Sequence, residues 1–151
     1  MVINSLFIDW LYNLCKSSYA KSKDSEMNPL SFTDIFVALI ATEHFGFMIL
    51  EMFLWQTPTG LRIFRQSPEQ AATSAALAKN QGLYNGFLAS GLLWGLLHPS
   101  FYFSYQLKLF FLACVFIAGV FGAFTVSRRI FFVQALPALV VGGLLLQAAF
   151  Y

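Results

Sequence analysis

Three side chains able to do acid–base or ligand chemistry lie in one long apolar run between Asp34 and Trp55: Glu43, His44 and Glu51. An ionised side chain near a bilayer centre costs about 2.5–3.5 kcal/mol on insertion scales, so it normally faces a partner or a cavity. His44 and Glu51 are seven apart and share a helix face, whereas neighbours such as Glu43 and His44 diverge by about 100°. That divergence argues against a shared ion, and no metal site is expected. A second apolar run contributes Gln81, Tyr84 and Asn85, whose spacings of three and four put them on one helix face. Gln134 lies in the last run.

Measured by helical rise from the basic loops, Glu51, Asn85 and Gln134 reach similar depths, and Thr125 ends the third run there. The expectation is a polar pocket in the cytoplasmic half of a helical bundle. Its candidate ligand-binding residues are Glu43, His44, Glu51, Gln81, Tyr84, Asn85 and Gln134, with Arg62, Arg65 and Arg128 near its mouth. Such a pocket suits a small amphipathic molecule, with Glu51 as proton donor or acceptor.

Two other roles fit the same residues. The polar groups could serve only to bond helix to helix, with Glu51 bridging to Lys79 or Arg128 and Glu43 pairing with His44. This would suit a structural or interaction subunit. Alternatively, Glu43 and His44 could extend a polar path across the membrane. The outer half of spans three and four offers only Cys114 and Gln147, so a transporter or channel would have to be a homo-oligomer.

Composition limits the setting. Of 151 residues, 58% are hydrophobic and 11% charged, against about 25% charged in ordinary soluble domains. Mean hydropathy is +0.68, and phenylalanine occurs 18 times. A net charge of +2 gives no electrostatic case for nucleic acid. The cysteines, Cys15 and Cys114, fall in a polar tail and a mid-membrane segment, with no metal spacing and no expected disulfide. No nucleophile elbow, Walker loop, HExxH or CxxC occurs, and no cofactor is implied.

The pattern therefore reads as all-α: a four-helix transmembrane bundle over residues 31–151, with membrane lipid as its surroundings. The expected spans are 34–55, 80–97, 107–126 and 130–151. Ser67, Pro68 and Gln70 form a helix start, with N-cap, proline at N1 and capping-box glutamine. One long helix is therefore expected from Pro68 to Leu97, where His98-Pro99-Ser100 stops it. Gly82, Gly86 and Ser90, then Gly91 and Gly95, form small-residue stripes on span two. Ala118 with Gly122, and Gly119 with Ala123, do so on span three. These predict close packing of the two spans. Pro137 is a candidate kink.

The tail, residues 1–30, carries Val2, Ile3, Leu6, Phe7, Trp10, Leu11 and Leu14 in a pattern suited to a short surface helix. Met27 is a second candidate start. Arg62, Arg65, Lys79, Arg128 and Arg129 gather in two loops on one side. In a cell membrane this places both termini on the non-cytoplasmic side.

Three long motifs carry a family resemblance. They are EHFGFMILEMFLW from Glu43 to Trp55, NQGLYNGFLASGLLWG from Asn80 to Gly95, and AGVFGAFTVSRRIFFVQALPA from Ala118 to Ala138. In this order they resemble the domain-of-unknown-function 1304 family of small integral membrane proteins, over about Phe32 to Leu146. The resemblance implies a four-helix membrane protein and supplies no reaction. The segment before Met27 departs from the pattern of that family, whose members begin just before span one.

Overall fold

The computed structural model describes residues 31–150, and the expected surface helix and Cys15 lie outside them. The described residues are helical, without a strand. They form α1 (Phe32–Met52), α2 (Pro58–Phe64), α3 (Pro68–Leu97), α4 (Phe101–Thr125) and α5. The last begins with a π-helical turn, Phe131–Ala135, and continues as an α-helix over Leu136–Phe150. Three stretches are long and apolar enough to cross a membrane: Phe32–Met52, Phe101–Thr125 and Phe131–Ala148. α3 has 30 residues but a more polar first half, and it does not meet that standard of apolarity.

Local chemistry sets the helix ends. Ser31 and Asp34 form a capping box at α1, with the Ser31 N–H donating to Asp34 Oδ2 at 3.2 Å. At α3 the Ser67 N–H donates to Gln70 Oε1 at 2.9 Å, and the Gln70 N–H returns to Ser67 Oγ at 3.3 Å. The start expected at Pro68 and the stop at Leu97 are both found.

Two other bounds move. α1 ends at Met52 rather than Trp55, because the chain turns over residues 53–57 into α2. Trp55 is thereby drawn against the bundle, its indole N–H donating to Ser74 Oγ at 3.1 Å and its ring packing on Phe64 at 4.5 Å. α4 starts at Phe101, six residues before 107, since Pro99 ends one helix and the next begins almost at once.

The long helices pack as a ring, α1 to α3 to α4 to α5 and back to α1. The α1–α3 seam is the most extensive of the four, and α1–α5 the least. A core of Val37, Ile40 and Ala41, Leu92, Leu112 and Val115, and Ala138, Val141 and Leu145 draws on all four helices. Most large apolar side chains instead face outward, among them Leu39, Phe87, Phe121 and Leu139. A water-soluble bundle would bury such residues.

The small-residue stripes act on more seams than the sequence suggests. On α3, Gly82 and Gly86 meet Met48 and Met52 of α1. Gly91 and Gly95 meet Phe111 and Lys108 of α4, and a Cβ at Gly91 would enter the Phe111 ring. On α4, Gly119 faces the Ala135 backbone of α5, where a Cβ would lie 2.7 Å from the Ala135 nitrogen. The stripe on α4 therefore packs against α5 rather than against α3, while Ser90 and Ala118 are exposed.

These contacts make one substitution costly and another harmless. Gly91→Leu should destabilise the protein in detergent by about 1–3 kcal/mol through overpacking. Gly143→Leu, where no atom lies within 4 Å of the added Cβ, should stay within about 0.5 kcal/mol of the parent. Thermal or denaturant unfolding of the two variants measures the contrast, and equal losses would contradict this packing.

Candidate functional site

Each polar residue of α1 has a separate surrounding. At its arginine-bearing end, Glu51 Oε2 accepts from Asn85 Nδ2 of α3 at 2.7 Å, with both residues half-buried. Gly82 and Gly86 bring the two backbones close enough for these short side chains to meet. About 10 Å deeper, by helical rise, His44 is fully buried. Its Nδ1 lies 2.9 Å from the Ile40 carbonyl, and its Nε2 lies 3.3 Å from Gln134 Nε2 of α5. A carbonyl only accepts, so Nδ1 carries the proton, and Nε2 of the neutral ring accepts from the Gln134 amide. The Phe47 ring contacts the imidazole edge-on at 5.8 Å.

Instead of one cluster at a single depth, the interior thus holds two pairs in two layers. The earlier end of α1 explains part of the difference. Ending about three residues sooner brings His44 roughly 4.5 Å nearer the basic loops, within reach of the long Gln134 side chain.

The alternative pairings do not form. Among the described residues Glu51 makes no ion pair with Lys79 or Arg128, and His44 does not bond Glu43. Gln81 and Tyr84 are exposed on the outside of α3, Tyr84 packing edge-on against Phe87 at 6.1 Å. Thr125 bonds back to the Phe121 carbonyl in its own helix. Arg62, Arg65 and Arg128 are exposed at the same end.

Glu43 is different. It is half-buried and has no hydrogen-bond or ion-pair partner among the described residues. It lines an open groove of about 490 Å³ along the α1–α5 seam. Leu39 and Ile40 of α1 flank it, and Val133, Pro137 and Val140 of α5 form the facing wall. Apart from the Glu43 carboxyl, every lining side chain is apolar.

The wall owes its form to a helix irregularity. Across the π-helical turn the Leu136 N–H reaches the Phe131 carbonyl. In that register the Phe132 carbonyl would be taken by residue 137, a proline without an N–H. The turn also carries Gln134, so it supplies both the partner of His44 and part of the groove.

One polar contact went unread in the sequence. Lys108 Nζ of α4 donates to Asp34 Oδ1 of α1 at 2.7 Å, with only 9% and 19% of the two side chains exposed. It ties the bundle at the end opposite the arginines. The available signal was an isolated lysine near one end of an apolar helix, at the same end as Asp34. Gly95 lets the lysine stem pass, since a Cβ there would lie 2.9 Å from Lys108 Cγ.

The interior pairing has a measurable consequence. Asn85→Leu leaves Glu51 without its donor and should cost about 1–3 kcal/mol of stability in detergent. Glu51→Leu combined with Asn85→Leu removes both polar partners and should cost less than Asn85→Leu alone. A double variant that loses the sum of the single effects would show that the two side chains are not coupled.

Comparison with known proteins identifies a family and names no activity. A family model described as "Protein of unknown function (DUF1304)" matches residues 38–146. A protein of Lactococcus lactis subsp. lactis (strain IL1403), named "Uncharacterized protein YpaA", is 33% identical over 106 residues, covering 68% of this chain and 86% of YpaA. No solved structure matches.

Proposed function

The chain belongs to the DUF1304 family, and we propose that it is an integral membrane protein that binds a small amphipathic molecule inside the bilayer, in the groove between α1 and α5. One observation carries this reading. Among the described residues, every other acidic or basic side chain of the bundle interior has a polar partner, and Glu43 has none. Exposed to lipid tails alone, such a carboxyl is costly. It sits in a groove whose size falls within the range of about 300–1,000 Å³ usual for small-molecule sites. An apolar recess with a single polar group also matches the general composition of such sites.

In this reading the two interior pairs hold α1 in rotation. Glu51–Asn85 and His44–Gln134 keep one face of α1 toward the bundle, which turns Glu43 toward the groove. Lys and Arg asymmetry favours the arginine-bearing end as cytoplasmic, with both termini on the other side. A second reading, an interaction subunit or homo-oligomer, is supported by Gln81 and Tyr84 on the outer surface of α3.

Native mass spectrometry of the detergent-purified protein tests the first reading against the second. The parent should carry a reproducible extra mass that is absent from Glu43→Gln and from Leu39→Trp, which narrows the groove beside Glu43. Retention of that mass in both variants would place the ligand elsewhere. A bare parent with a dimer mass, lost on Tyr84→Ala, would favour the interaction subunit.

A further inference from the structure

The ligand class can be narrowed from the hydrogen-bonding character of the groove, an argument that rests on the binding reading above. The described lining residues provide no side-chain donor apart from what Glu43 itself holds. Seven of them are hydrocarbon or aromatic, and Pro137 has no N–H. The helical N–H groups of the two walls are engaged in their helices, as the Leu136 N–H is with the Phe131 carbonyl. The side-chain acceptor that the groove offers is the Glu43 carboxylate. An ionised carboxylate is an acceptor only.

We infer that the groove takes a lipophilic amine, its ammonium paired with the Glu43 carboxylate and its hydrocarbon part along Leu39, Val133 and Val140. Lipid acyl chains would fill the hydrocarbon space but leave the carboxylate unpaired. A fatty acid would bring no positive charge to pair with it. A fatty alcohol brings one donor and no charge, whereas an ammonium brings up to three donors and neutralises the site. The amine thus complements both the charge and the acceptor-only lining.

Dodecylamine, dodecanol and dodecanoate, which share one chain length, make the test. Each is titrated against the full chain in the same non-ionic micelles and read by native mass spectrometry. The parent should bind dodecylamine at least tenfold more tightly than either other probe. Glu43→Gln should lose that preference, Gly143→Leu, outside the groove and with no atom within 4 Å of the added Cβ, should keep it, and Leu39→Trp should bind none of the three. Because Glu43 has no polar partner among the described residues, its amide variant removes no hydrogen bond or ion pair of the fold, and thermal unfolding checks that it is folded.

Dodecanol or dodecanoate bound as tightly as dodecylamine, and displaced by Leu39→Trp, would overturn the amine class and leave the groove as the site. A dodecylamine preference unchanged by both Glu43→Gln and Leu39→Trp would overturn the groove as well. No binding of any probe to the parent would overturn the amine class, and the copurified mass would then decide the groove.

Discussion

A polar side chain in hydrocarbon has no water to bond, so its partner must come from another part of the protein. In this bundle that constraint converges on α1. It reaches α3 through Glu51 and Asn85, α4 through Asp34 and Lys108, and α5 through His44 and Gln134. Each of the other long helices therefore makes one polar bond to the same helix. Such bonds between membrane helices average about 0.6 kcal/mol, less than the packing around them. Their effect lies in selection. Rotating α1 by one residue, about 100°, would break all three and turn Glu43 toward the core.

Packing explains why the bundle is tight on three seams and open on the fourth. α3 presents Gly82 and Gly86 to α1, and Gly91 and Gly95 to α4, while α4 presents Gly119 to α5. Each seam lets backbones or bulky side chains approach closely. The α1–α5 seam lacks such a stripe: Gly46, Gly142 and Gly143 have no atom within 4 Å of an added Cβ. The groove lies along this least extensive seam, beside the proline and the π-helical turn that prevent α5 from presenting a regular surface.

The helices were largely legible in the sequence because their signals are local. Hydropathy placed the runs, and Ser67, Pro68 and Gln70 fixed the start of α3 through bonds spanning three residues. The bend after Met52 was not legible. It depends on Trp55 reaching Ser74, 19 residues away, and no periodicity encodes such a contact. For the site, residue type and helix face sufficed to join Glu51 with Asn85. The pairing of His44 with Gln134 depends on axial offset between helices, which sequence spacing within one helix does not contain. The groove was illegible for a related reason: Leu39, Val133 and Val140 resemble every other lipid-facing residue until two particular helices are set side by side.

The groove opens sideways between two helices rather than through an end of the bundle. A molecule arriving there has already left water for lipid. Its local concentration is then set by its membrane partition coefficient, and occupancy follows moles per mole of lipid rather than molarity in the aqueous phase. Two compounds with equal intrinsic attraction for the groove would thus show very different apparent potencies from solution, ordered by their solubility in the bilayer. Changing the amount of membrane would shift those potencies without altering a single contact in the protein.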